Sequence, residues 1–428
     1  MEYVGFIAIL LCILAAGAVS RRIQGTIITL PMVYTALGLL IGSRGLGLVE
    51  MGLDSEVLRI IAELTLVLVL ASDASRIRMR MLRRDYTLPT RLLSVGLLLT
   101  MLLGTLIAYL LFGEIGFWGA AVLAIILAPT DASLGQPVMT NPSVPMRIRQ
   151  TLNIESGMND GIAMPFLVLA ISLAIASDEK LASTRFIIPA LVDIGIGIAA
   201  GAVIGWLGAK FLMWGRSSGW MSENFRKVSG LALVLLAYVI AEVFGGNGFI
   251  AAFVMGMVTG HVARHTDEDV HEHIEVEVSL LILLTFLLFG AVLLPRALEG
   301  FNGMAVLYAL ISLTVIRMIP VAISLWGSGV RPSTTAFIGW FGPRGTASIL
   351  YIFMVLDVED LIIGADLIYE VAMITVFLSV ILHGVTAAPL AKYYGNRIAI
   401  LGEERPDTME MDPVPELPLR VSPKPLSK

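Results

Sequence analysis

Six ionisable side chains stand inside long apolar runs of this 428-residue sequence: Glu63, Asp131, Glu155, Asp160, Arg317 and Arg344, with Asp73 near the end of another run. A charge at the centre of a bilayer costs ~2.5–3.5 kcal/mol or more, so each of them needs a partner or a task. The densest group is Asn153-Ile154-Glu155-Ser156-Gly157-Met158-Asn159-Asp160-Gly161. On a helix Glu155 and Asn159 share one face, and Ser156 and Asp160 share the adjacent one. The first face suits a salt-bridged glutamate. The second presents a hydroxyl beside a carboxylate, the oxygen donors that hard cations prefer. Upstream, Ala128-Pro129-Thr130-Asp131 interrupts another run. Unwinding there frees the Thr130 carbonyl, and Asp131 adds a second carboxylate. Plainer readings exist for several of these residues. Glu155 and Arg317 form a structural pair on such a reading, Arg344 neutralises helix ends at a break, and Glu63 faces a pore or interface without direct chemistry. Asp131 and Asp160, two acids beside a broken helix, argue most strongly for ion binding.

The elements that must position these residues follow from composition. Apolar residues make up 57% of the chain and charged ones 15%, against ~25% charged in soluble proteins. So little polar surface cannot cover so large a core, and lipid must be the solvent for most of the chain. Thirteen runs approach the ~20 residues a membrane helix needs: about 4–19, 25–42, 57–72, 88–112, 116–138, 151–177, 186–214, 228–243, 246–264, 277–294, 301–324, 331–355 and 366–391. The first lacks a basic start and a cleavage site and reads as a retained helix. The expectation is an all-α polytopic membrane protein with a transmembrane unit over 1–401 and a disordered cytoplasmic tail over 402–428, which is rich in proline and charge. A net charge of −5 gives no sign of nucleic acid. A single cysteine, Cys12, excludes an internal disulfide framework.

Of the 29 Lys and Arg residues, 22 lie in alternate connections and 5 in the others. Basic loops stay cytoplasmic, which predicts an outer N-terminus, a cytoplasmic C-terminus and an odd number of spans. Shifting the fourth to sixth runs by 213 residues lands them on the eleventh to thirteenth. The fifth and twelfth are the interrupted ones, the latter at Gly342-Pro343-Arg344-Gly345. Paired broken spans point to inverted repeats with two discontinuous crossing helices and a transport site between them.

Pro129-Thr130-Asp131, Glu155-Ser156-Gly157-Met158-Asn159-Asp160 and Gly342-Pro343-Arg344-Gly345 together resemble the motifs of NhaP-type sodium/proton antiporters. These form the electroneutral branch of the cation/proton antiporter superfamily, related to sodium/hydrogen exchangers. The closing run His383-Gly384-Val385-Thr386-Ala387-Ala388-Pro389-Leu390 is similar to that superfamily's last helix. The resemblance covers the chain except its tail. It implies a six-helix ion-transport bundle and a dimerisation domain, working as a homodimer in the cell membrane by alternating access, with a role in pH homeostasis. It also implies Asp160 as the carboxylate that takes either cation or proton. Thr130 (through its carbonyl), Asp131 and Ser156 complete the cation shell, with Glu155 nearby. Asn159 stands where the electrogenic branch has a second aspartate, and Arg317 matches an arginine pairing with Glu155 and Asn159. Asp73 lies where relatives carry an acid facing the funnel.

The substrates implied are Na⁺ or Li⁺ and H⁺, with K⁺/H⁺ exchange as the alternative, and no cofactor. One exchangeable charge at Asp160 beside a neutral Asn159 predicts one cation per proton. Two readings from other classes lack their signatures: a Thr-Val-Gly-Tyr-Gly channel filter and the Gly-x-Gly-Asp of intramembrane aspartyl proteases are both absent. Chemistry of an enzyme is therefore not expected. Finally, His261, His265, His271 and His273 surround Asp267, Glu268, Asp269, Glu272, Glu275 and Glu277. This reads as a solvated loop, so replacing all four histidines is expected to shift a pH profile by less than about one unit.

Overall fold

Lipid offers the backbone no hydrogen bonds, so a chain this apolar must satisfy its peptide groups internally, and helices do so. The computed structural model describes residues 2–23, 26–76, 87–178, 184–262, 275–300, 302–404, 409–414 and 417. Among these the first helices are α1 (Glu2–Ile23), α2 (Leu30–Ile41), α3 (Glu56–Arg76), α4 (Thr87–Leu111), α5 (Gly116–Ile126), α6 (Ala132–Met139) and α7 (Met146–Asp178). There follow α8 (Thr184–Ser217), α9 (Glu223–Val243), α10 (Gly248–Val262), α11 (Glu275–Ala297) and α12 (Gly303–Ser324). The last are α13 (Pro332–Trp340), α14 (Thr346–Leu356) and α15 (Ala365–Glu404). Taking α5 with α6 and α13 with α14 as interrupted crossings gives thirteen, matching the apolar runs. The edges differ where helices leave the apolar zone. α15 runs on past 391 through Glu404, because apolarity marks only the lipid-immersed part of a helix.

Packing sorts the helices into two groups. In one, α8 and α3 pack on α10, α9 joins them, and α2 packs on α11. Small residues permit the close approaches: a Cβ on Gly201 of α8 would lie 2.4 Å from the Ala251 carbonyl oxygen of α10. In the other group α4, α5, α6 and α7 pack with α12, α13, α14 and α15. The groups meet where α3 touches α7 and α14, and where α8 touches α7.

Two interruptions lie in the second group, at residues 127–131 and 341–345. Asp131 donates its N–H to the Pro343 carbonyl at 2.8 Å, so the two unwound segments cross in contact. Asp131 and Arg344 are themselves 213 residues apart, the offset of the internal repeat. α12 is also disturbed: Thr314 leaves helical geometry, with φ −115° and ψ −84°, three residues before Arg317.

Of the tail expected to be disordered over 402–428, the described residues are 402–404, 409–414 and 417. α15 continues to Glu404, and Met409–Met411 form a single 3₁₀ turn. Glu410 is buried, accepting from the Arg331 N–H at 2.8 Å and the Thr334 hydroxyl at 2.9 Å. Asp412 pairs with Arg147 at 3.0 Å, and Leu417 is buried with its carbonyl bonded by the Gln150 amide. Composition misses this because two acids and three apolar side chains, Met409, Val414 and Leu417, suffice to seat the segment on α7 and α13.

Candidate ion-binding site

The crossing of the broken helices places opposite charges on opposite helix ends. Asp131 is the N-cap of α6, its Oδ1 accepting from the Ser133 N–H at 2.7 Å and the Ser133 hydroxyl at 2.6 Å. Its Oδ2 accepts from Thr346, the first residue of α14, through the N–H at 2.5 Å and the hydroxyl at 2.6 Å. One carboxylate thus answers two positive helix N-termini. Arg344 does the converse. It is fully buried and donates through Nη1 to the Ala128 carbonyl at 2.7 Å and the Pro129 carbonyl at 3.1 Å, at the negative end of α5. Its backbone N–H is held by the Ser379 hydroxyl of α15 at 2.7 Å.

α7 runs past this crossing and presents its polar residues in two directions. Glu155 faces α12, where Arg317 grips it with both terminal nitrogens at 2.6 and 2.8 Å. Both side chains are buried, so the paired geometry is what makes their charges tolerable. Gly342 makes room for the guanidinium: a Cβ there would stand 2.2 Å from Arg317 Nε. Ser156 and Asn159 turn instead to the first interruption. The Thr130 hydroxyl lies 3.0 Å from that of Ser156 and accepts from the Asn159 amide at 2.7 Å.

Asp160 differs from the other two acids of the crossing, Asp131 and Glu155. It is 3% exposed, and its Oδ1 has no hydrogen-bond partner among the described residues. Asn159 Oδ1 is likewise buried without a partner. The Asp160 backbone carbonyl accepts from the hydroxyl of Tyr351, a fully buried residue of α14. A buried carboxylate oxygen without a partner, on the helix turn that also carries the Ser156 hydroxyl and the Asn159 amide oxygen, offers the donor types that suit a hard monovalent cation or a proton.

The structure therefore brings together Thr130, Asp131, Glu155, Ser156, Asn159, Asp160, Arg317 and Arg344, with hydrogen bonds at two of them that the sequence did not indicate. Asp131, expected as a cation ligand, has both oxygens engaged in clasping α6 to α14. Asn159, expected to pair with Arg317, bonds Thr130, and Arg317 spends its fork on Glu155. Asp73 is buried on α3, in the stretch that carries Ser72 and Arg76. Glu63 is half-buried and paired with Arg59 at 3.0 Å, which also reaches Asp357 of the other group at 3.0 Å. Of the histidine loop, His261 closes α10, while His265, His271 and His273 lie outside the described residues. Tyr351, Thr346, Ser379 and Ser133 were not singled out from sequence. Only Ser133 and Thr346, each two residues beyond an interrupted motif's charge, carried a local signal.

Paired broken helices crossing beside buried acids are the arrangement of secondary transporters with repeated halves. The chain matches the family of transmembrane sodium/hydrogen exchangers over residues 6–393 and belongs to that family. It is 26% identical over 367 residues to the K⁺/H⁺ antiporter NhaP2 of Shewanella sp. strain ANA-3, covering 84% of this chain and 62% of that one. It is 24% identical over 409 residues to the K⁺/H⁺ antiporter NhaP of Alkalimonas amylolytica, covering 94% and 68%. The chain thus spans about three-fifths of the length of the NhaP2 relatives it matches. In fold it is similar to the sodium proton antiporter MjNhaP1 of Methanocaldococcus jannaschii, with a TM-score of 0.73 and 22% identity, over 92% of this chain and 97% of that one.

Proposed function

We propose that this chain exchanges Na⁺ or Li⁺ for H⁺ across the cell membrane, electroneutrally, with Asp160 as the shared ligand. The observation that carries the reading is the buried Oδ1 of Asp160, unpartnered among the described residues, on the turn of α7 whose Ser156 and Asn159 side chains meet Thr130. Protonation removes the cation's principal ligand, and a bound cation excludes the proton, so one site holds either but not both. A bare carboxylate in the bilayer is costly, so the empty site crosses reluctantly and leak is suppressed. The Thr130 carbonyl, the Ser156 hydroxyl and Asn159 Oδ1 complete the cation shell, while Asp131 holds the crossing together and Arg317 neutralises Glu155. Because Asn159 carries no charge, one cation replaces one proton.

In this reading α4 to α7 with α12 to α15 form the moving transport bundle. The other helices form a fixed dimerisation domain of a homodimer, with the N-terminus outside and the C-terminus in the cytoplasm. Asp73, on the fixed side, faces the ion path. K⁺ is the second reading, favoured by the names of two of the sequence relatives, both K⁺/H⁺ antiporters. The test is to titrate proton flux in proteoliposomes with Na⁺, Li⁺ and K⁺ at clamped zero and non-zero potential. Saturable flux with Na⁺ or Li⁺, unmoved by the potential, is expected. Flux with K⁺ alone selects the second reading, and a potential-driven current rejects electroneutral exchange.

A further inference from the structure

One buried histidine lies outside the scheme above. His383 of α15 is wholly inaccessible, and its ring reaches one lip of the second interruption directly and the other through Ser379. Nε2 lies 2.9 Å from the carbonyl oxygen of Trp340, the last residue of α13. Nδ1 lies 3.1 Å from the Ser379 hydroxyl, and that hydroxyl oxygen accepts the Arg344 N–H at 2.7 Å. A carbonyl only accepts, so Nε2 carries the proton. Nδ1 is then an acceptor for the Ser379 O–H, and the Ser379 oxygen remains free to receive Arg344. Nδ1 also stands 3.1 Å from the Ser379 carbonyl, a contact that becomes a hydrogen bond only with a proton on Nδ1, at the cost, in a neutral ring, of the bond to Trp340. The neutral Nε2–H tautomer satisfies every partner in sequence. The indole of Trp340 lies against the imidazole at 5.2 Å and donates to Thr386 at 3.0 Å, so the ring's place is fixed.

We propose that His383 is a positioning residue for cation binding: it sets the gap between Trp340 and Arg344, and through Arg344 the shape of the first interruption. The route is short and continuous. Arg344 bonds the Ala128 and Pro129 carbonyls. The next residue, Thr130, carries the hydroxyl shared by Ser156 and Asn159. A change in the gap moves Thr130 relative to Asp160 without altering any ligand. The inference rests on the reading of Asp160 and Thr130 as the cation site.

Three variants test it in proteoliposomes, each checked for incorporation and melting temperature. His383→Phe keeps the volume and removes both nitrogens. His383→Gln returns an amide N–H within reach of the Trp340 carbonyl. Ser379→Ala breaks the link to Arg344 and leaves the imidazole in place. Loss of a partner that orients metal ligands typically weakens binding about tenfold or more, so His383→Phe and Ser379→Ala should raise the half-saturating Na⁺ concentration about tenfold. Maximal flux should change little, and His383→Gln should recover most of the loss. A merely structural histidine would lower stability or maximal flux and leave half-saturation alone. The inference is overturned if folded His383→Phe or Ser379→Ala saturates like wild type, or if the glutamine gives no recovery. Should His383→Phe fail to fold, Ser379→Ala decides. Absence of exchange in the wild type is a different result, overturning the proposed function itself.

Discussion

Asp131 and Asp160 are both aspartates, both buried to within a few per cent, and both were read from sequence as ligands of one cation. The structure separates them. Asp131 has four donors on its two oxygens, two from α6 and two from α14. Asp160 has a buried oxygen with none among the described residues. Glu155 falls with Asp131, its charge answered in full by Arg317. A buried acid whose hydrogen bonds are complete is committed to the scaffold, because a ligand would first have to break them. Only an acid left incomplete can trade partners. On the proposed reading, the difference between the two aspartates is the difference between architecture and chemistry.

The strongest way to sharpen this contrast is to strip a scaffold charge of its partner. Arg317→Ala leaves Glu155 buried and alone, which typically costs ~3–5 kcal/mol, and should lower the melting temperature sharply in detergent. Glu155→Gln combined with Arg317→Ala removes both charges and should recover much of that loss. An Arg317→Ala protein that melts like wild type but does not transport would move Arg317 from scaffold to transport step.

Asp131→Asn comes next. The amide keeps one acceptor and turns an N–H₂ toward two donors, leaving them unsatisfied at about 1–3 kcal/mol each. Thermal melting should show the loss, and unchanged stability would undo the assignment of Asp131 as a clasp.

Asp160→Asn should go the other way. Removing an uncompensated charge spares the fold a desolvation cost, so the variant should melt at or above the wild-type temperature. Marked destabilisation would place Asp160 with Asp131.

The smallest effect belongs far from the crossing. Glu410→Ala removes the acceptor for the Arg331 N–H and the Thr334 hydroxyl, and should cost roughly 1–3 kcal/mol, with protease sensitivity of the tail rising alongside. A tail cut no faster than wild type would show that Glu410 does not hold it.

Much of this architecture was legible because lipid imposes simple arithmetic. Apolar runs near bilayer length gave the spans, and Pro129 and Pro343 marked the interruptions. The Glu155–Arg317 pair was readable because opposite charges in lipid must find each other. What could not be read depends on approaches between distant segments. Thr346 reaches Asp131 from 215 residues away, so spacing could not tell a clasp from a ligand. Tyr351 reaches the Asp160 carbonyl across 191 residues, from a position with no local mark. The contacts of Glu410, Asp412 and Leu417 were not legible because a few well-placed contacts outweigh a polar composition.

The central claim is that Asp160 alone trades a cation for a proton. Purified wild type and Asp160→Asn should be reconstituted side by side, with an acid-inside pH gradient imposed and Na⁺ added to the outside. The wild type should collapse the gradient on addition, while the folded Asp160→Asn protein leaves it standing. Collapse at the wild-type rate in Asp160→Asn would contradict the account.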